Sequence, residues 1–180
     1  MPRYAEAWFA VLKWQKIAET YNRAVEKILE LIRQQAYGKL YNWRAGKLGE
    51  QYLQRHEPSE KRLSVVAGQQ DKYDIIIIPA QFGLRHSGCS VHEARATFSL
   101  NEFGLGMFEV GCMLLTHPER LVSYVTLWID CPGDKYSPEG DGNFSDVPYF
   151  GFLDDRIQVD AKWFDIIITG SGSASAFLSY

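Results

Sequence analysis

Apolar side chains return every three or four residues through positions 5–36: Trp8, Val11, Leu12, Trp14, Ile17, Ala18, Tyr21, Val25, Ile28, Leu29 and Ile32. Glu26, Lys27, Glu30 and Arg33 fall between them and no proline interrupts, so the spacing predicts one long amphipathic helix. A second helix is expected from Lys39 to His56, with Tyr41, Leu48, Tyr52 and Leu53 inward. Gly38 marks the junction and Glu57-Pro58-Ser59 the stop. The two would form a helical hairpin over residues 1–62.

The pattern then changes. Tyr73-Asp-Ile-Ile-Ile-Ile-Pro79 is an unbroken β-branched run, which predicts a central strand buried on both faces and ended by Pro79. A loop follows over residues 80–90, and Ser90 with Glu93 has the spacing of a capping box for the next helix. Asn101 is expected to cap a further helix, Glu102 to Thr116, almost wholly apolar, whose Gly104 and Gly111 permit close backbone approach. Pro118 starts a short helical turn. Val122 to Asp130, with Val125, Leu127 and Ile129 on one face, reads as a second strand.

This strand–helix–helix–strand order is long enough for a crossover between parallel strands. Beyond it come a loop over 131–148, a hairpin of Phe150–Leu153 and Arg156–Val159 about Asp154-Asp155, and a last strand from Trp163 to Ile168. The Gly/Ser-rich stretch 169–180 reads as a mobile tail, with Phe177, Leu178 and Tyr180 available to dock. The fold class expected is therefore α+β or α/β. A small mixed sheet with a βααβ crossover over 70–168 would pack on the helical hairpin, all within one domain of 180 residues.

Composition adds a few exclusions. Hydrophobic residues at 46% and charged residues at 23% suit a folded chain rather than a disordered one. No apolar run is long enough to span a bilayer, and the N-terminal stretch is broken by Lys13, Lys16 and Glu19, so the expectation is a cytoplasmic protein without membrane contact. Cys89, Cys112 and Cys131 are too few and too widely spaced for a disulfide framework or a zinc site. Charge is uneven: residues 1–62 carry twelve Lys/Arg against seven Glu, and residues 130–165 carry three against nine acids. The basic N-terminal part, rich in Trp and Tyr, raises a nucleic-acid role. It ranks last, because the aromatics follow the core period.

Two loops carry candidate chemistry. After the central strand, Gly83 and Gly88 allow tight turns, and Arg85, Ser90 and Arg95 surround a helix start suited to a phosphate or carboxylate. Neither a P-loop nor a dinucleotide-binding glycine fingerprint is present. In the acidic segment, Asp130, Asp134, Asp141, Asn143 and Asp146 offer oxygen ligands for Mg²⁺ or Ca²⁺, although the spacing departs from a calcium-binding loop. Catalysis would fall to His86 as acid–base, Asp130 beside a metal, and Cys89 as nucleophile at a helix start. The leading expectation is a small enzyme or binding domain for a phosphorylated or otherwise anionic ligand, with a divalent cation as the candidate cofactor. The alternative is a non-catalytic protein that oligomerises, or holds a protein partner, through its N-terminal aromatic helices.

Overall fold

The computed structural model describes residues 1–123 and 126–178. Among these, four α-helices and eleven strands form an α+β fold with two sheets. No described helix is long and apolar enough to cross a membrane.

The first expected helix is two elements. Ala7–Leu12 is strand β1, with Phe9 and Val11 buried and Trp8 outside, because AWFAVL satisfies a two-residue alternation as well as a helical one. Only Tyr21–Gln35 is helix α1, started by Thr20, whose hydroxyl accepts from the Arg23 N–H at 3.3 Å. Its stripe of Tyr21, Ala24, Val25, Ile28, Leu29 and Ile32 is buried within the fold. The second expected helix does not form. Residues 39–56 hold the short strands β2 (Leu40–Asn42) and β3 (Leu53–Arg55). Glu57-Pro58-Ser59 opens helix α2 (Glu57–Gln69) instead of closing one, since proline in a first helical turn surrenders an N–H that has no partner there. There is thus no N-terminal helical hairpin to serve as an oligomer surface.

The first sheet runs β1, β4 (Ile75–Gln81), β11 (Ser175–Phe177), β5 (Glu102–Gly104), all antiparallel. In β4 only Ile76 and Ile78 point inward, while Ile75 and Ile77 are exposed, so burial on both faces begins at Pro79. Where β11 no longer reaches, the Gln70 amide brackets Ile77 instead, accepting from its N–H at 2.9 Å and donating to its carbonyl at 3.0 Å.

The second sheet is built on the hairpin of β8 (Asp146–Leu153) and β9 (Arg156–Trp163), which turns at Asp154-Asp155 with both φ values positive, at 51° and 58°. Strands β6 (Trp128–Asp130) and β7 (Asp134–Tyr136) share the other edge of β8; β2 lies beside β9, β3 beside β7, and β10 (Ser171–Ser173) beside β6. The strand expected over Val122–Asp130 is present from Trp128, and Val125 lies outside the described residues. Because β4 and β6 belong to different sheets, the expected parallel crossover is absent. Residues 164–168 turn rather than extend β9.

The largest departure is the C-terminal stretch. Read as mobile from its glycines and serines, it is strand in both sheets, and Ser171, Ser173, Ala174, Ser175, Ala176 and Phe177 are all buried. Tyr180 lies outside the described residues.

Helix α3 (Val91–Thr97) has the expected capping box: the Glu93 N–H donates to Ser90 Oγ at 3.1 Å and the Ser90 N–H to Glu93 Oε2 at 2.9 Å. Helix α4 (Met107–Thr116) is shorter than expected, since Glu102–Gly104 is strand β5, but it is buried from Met107 to Leu114. Gly111 lets it close on α1, because a Cβ there would overlap Ile28 Cγ2.

An ionic network joins α1, β3, α4 and β7. Arg55 Nη1 donates to Glu109 Oε2 at 2.7 Å, lies 3.3 Å from Asp134 Oδ1, and donates to the Tyr21 hydroxyl oxygen at 2.9 Å. Asp134 Oδ2 accepts from the Tyr21 hydroxyl at 2.8 Å and from the Met107 N–H at 2.7 Å. Burial pushes the Asp134 carboxyl up to about 6 against the pull of Arg55. Removing the cation leaves two buried carboxyls unpaired, so Arg55→Met is expected to cost about 3–5 kcal/mol in denaturant unfolding. Without Arg55 the folded state keeps a proton on Asp134 to higher pH than the unfolded chain does, so stability falls as pH rises and the loss is larger at pH 8 than at pH 5. A chain ending at Ile168 lacks a strand of each sheet and is expected to show no cooperative thermal transition by circular dichroism.

Candidate anion-binding cleft

The loop after β4 is tied inward. Gly83, at φ 124°, packs its backbone against Gly172, and Gly88, at φ 74°, donates its N–H to the Ser171 carbonyl at 3.0 Å. Arg85 and His86 do not face a free anion: both hold the carboxylate of Glu102. Arg85 Nε lies 3.0 Å from Oε2 and His86 Nε2 lies 2.8 Å from Oε1, while the Ser175 hydroxyl donates to Oε1 at 2.6 Å and the Ser99 N–H to Oε2 at 3.2 Å. Burial alone would raise the Glu102 pKa, but the hydrogen bonds from His86, Ser175 and Ser99 outweigh it and hold the group at about 2. Arg85 also stacks on Tyr4, 3.7 Å from the ring centroid. Ser90 is occupied as a helix cap. His86, buried and bound to Glu102, is not placed as a base for the half-buried Cys89.

The acidic segment is dispersed in the same way. Asp130 is buried against Lys162 at 2.8 Å, with the Ser171 hydroxyl donating at 3.4 Å, and its burial pushes the carboxyl up to about 6. Asp134 belongs to the Arg55 network. Asp141 accepts from the Ser137 hydroxyl at 3.0 Å and the Asn143 N–H at 2.9 Å, an Asx-type turn, and Asp146 accepts from the Ser145 hydroxyl at 3.0 Å. Among the described residues no three His, Cys, Asp or Glu side chains converge as a metal-binding group. The expected set of Asp130, Asp134, Asp141, Asn143 and Asp146 therefore does not converge: the two buried members face internal cations, Asp141 and Asn143 shape a turn, and Asp146 opens β8.

Arg95 has a different environment. Its Nε and Nη2 donate to the Pro132 carbonyl at 3.1 and 2.9 Å, and Nη2 also donates to the Asp134 carbonyl at 2.7 Å. These bonds fasten α3 to the turn between β6 and β7. Arg95 lines a cleft of about 350 Å³ together with His56 and Arg62 from the start of α2 and His92 from α3. Pro58, Ala96, Phe98 and Phe103 supply its apolar walls. The Arg62 guanidinium donates to the backbone carbonyl of Glu102, whose carboxylate is already committed to Arg85 and His86. Among the described residues, neither Arg62 nor Arg95 has a carboxylate in ion-pair range, whereas the other half-buried arginines, Arg44, Arg55, Arg85 and Arg120, each have one.

The charge of the cleft is visible in its titrating groups. Burial lowers Arg95 to about 10, opposed by the Asp134 carboxylate. His56 falls to about 4, through burial and then through Arg95, Lys135 and Arg55. Its Nδ1 sits 3.0 Å from Ser59 Oγ. The His92 ring lies 5.7 Å from that of Phe164, whose carbonyl accepts the His92 N–H at 3.1 Å. A cavity of about 290 Å³ between Ile32, Leu114, Leu121 and Phe152 has no such gathering of cations.

Of the ligand residues expected from sequence, the cleft therefore contains Arg95, and it adds His56, Arg62 and His92. The spacing of His92 and Arg95, three apart on α3, is the one local signal that joins them; His56 and Arg62 come from a helix that starts where the sequence pattern predicts a stop. Comparison with protein-family models, with curated proteins and with solved structures finds no match for this chain.

Proposed function

We propose that the protein binds a small phosphorylated or carboxylated ligand in the cleft between α2 and α3. One observation carries this reading: the half-buried arginines without a carboxylate, Arg62 and Arg95, line the same cavity. A partly desolvated guanidinium is costly without a counter-charge, and its planar donors match carboxylate and phosphate oxygens. Arg95 is held by backbone carbonyls, which fix its position without cancelling its charge. The role assigned is binding, since Ser59 is buried and its hydroxyl is paired with His56. The nucleic-acid reading is less favoured: in the basic N-terminal part Arg23, Arg33, Lys39, Arg44 and Arg55 are each paired with an acid.

The test is thermal unfolding with inorganic phosphate, sulfate or acetate, at ionic strength held constant with KCl. Phosphate is expected to raise the midpoint in a saturable way, because it binds the folded state. Arg62→Gln and Arg95→Gln should each weaken the shift at least tenfold in concentration, and the double variant should abolish it. A midpoint that follows ionic strength alone, with no difference between wild type and variants, would overturn the reading.

Protonation gives a second check. Burial first, and then the positive field of Arg95, Lys135 and Arg55, keep the proton off His56, whose Nδ1 is beside Ser59. A bound anion offsets that field. By NMR, His56 is expected to titrate near 4 in the free protein and at higher pH with phosphate. By linkage, sulfate, whose own charge does not change in this range, should bind more tightly as pH falls from 6 to 5. A phosphate-independent midpoint for His56 would contradict this placement of the anion.

A further inference from the structure

The cleft is larger than an anion needs. Even at a full water's share of about 30 Å³ for each of its five heavy atoms, phosphate would occupy less than half of the 350 Å³ available. The rest is bounded chiefly by Pro58, Ala96, Phe98 and Phe103; the polar lining residues besides the cations and histidines are Ser59, paired with His56, and Glu102, paired with Arg85 and His86. A site of this size, with apolar walls and a few convergent charges, suits a ligand with an apolar body and one charged end.

The apolar wall is held in place. The Phe98 ring stands edge-on to His86, with centroids 5.1 Å apart at 67°, and His86 is fixed by Glu102. Glu102 is fixed in turn by Ser175 and Arg85. Phe103, next to Glu102 on β5, is buried and pairs with Ala176 of β11. Both aromatic walls thus rest on the first sheet, while the cations come from α2 and α3. Small side chains at Ala96 and Pro58 leave space between the two.

We infer that the ligand is an organic phosphate with a planar, apolar ester group, its phosphate against Arg62 and Arg95 and its ring against Phe98. This rests on the anion-binding reading above and names the ligand class for the same cleft. Ring-on-ring contact and burial of the ester group are the added source of affinity.

The experiment compares inorganic phosphate, phenyl phosphate and phenol on the full chain by isothermal titration calorimetry at constant ionic strength. Phenyl phosphate is expected to bind at least about tenfold more tightly than inorganic phosphate, and phenol not measurably. Phe98→Ala should erase the advantage of the ring and leave inorganic phosphate unchanged. Because Phe98 also packs on His86, a second variant is needed: Ala96→Leu, on the exposed side of α3, should fill the apolar space, spare inorganic phosphate and exclude phenyl phosphate. Equal affinity for the two phosphates in the wild type would overturn the inference while leaving the anion reading intact. No saturable binding of either phosphate would overturn both; phenol binding as tightly as phenyl phosphate would overturn the inference alone.

Discussion

One short stretch of backbone belongs to both sheets. Ser171–Ser173 pairs with β6 in one sheet, and after Ala174 the chain enters the other, where Ser175–Phe177 lies between β4 and β5. That passage demands small residues. At Gly172 and Gly83 the two backbones are so close that a side chain on either would overlap the other. The serines along it are not solvent-exposed linker residues; Ser171 and Ser175 hydrogen-bond the buried carboxylates Asp130 and Glu102. From Ser175 the order continues through Glu102 to His86 and then to Phe98, at the wall of the cleft. The geometry of the cleft thus depends on the last strand of the chain, although no residue of that strand lines it.

This arrangement explains what the amino-acid pattern could and could not reveal. The capping box at Ser90, the turn at Asp154-Asp155 and the buried, glycine-bearing helix α4 are legible because each is decided by neighbours within a few residues. The strand β1 is not, since six residues with two inward apolar positions fit either periodicity, and only pairing with β4 decides between them. The C-terminal strands are hidden for a different reason. Glycine and serine are read as flexible because they pack little surface, yet close backbone approach requires the same residues.

For chemistry the division is similar. Arg85 and His86 form a plausible anion-binding pair in sequence, and the partner that closes them, Glu102, stands 16 residues from His86 on another strand. Asp130 likewise suggests a metal ligand until Lys162, on β9, is placed against it. A local run of like charge shows which groups are present but not which are already neutralised, and neutralisation here is almost wholly tertiary. Arg95 was legible as a ligand-binding residue by its place on α3, but its isolation from acids was not.

The cleft gathers Arg62 and Arg95 in a chain whose formal net charge is −3. Of the buried acids nearest the core, Glu102 is matched to Arg85 and Asp130 to Lys162, while Glu109 and Asp134 share Arg55, and none of the four forms an ion pair with Arg62 or Arg95, although the Asp134 carboxylate acts on Arg95 from a distance. Net charge is therefore a poor guide to the local field, which depends on which charges are left over after internal pairing. The surplus also limits itself: burial, and after it Arg95 and its neighbours, suppress the proton on His56, so the cleft does not carry every positive charge its composition allows. An anion bound there would lower the electrostatic cost of Arg95 and of His56 protonation together. The same desolvation that makes the unpaired arginines expensive in the free protein makes a correctly placed anion more effective there than at the surface.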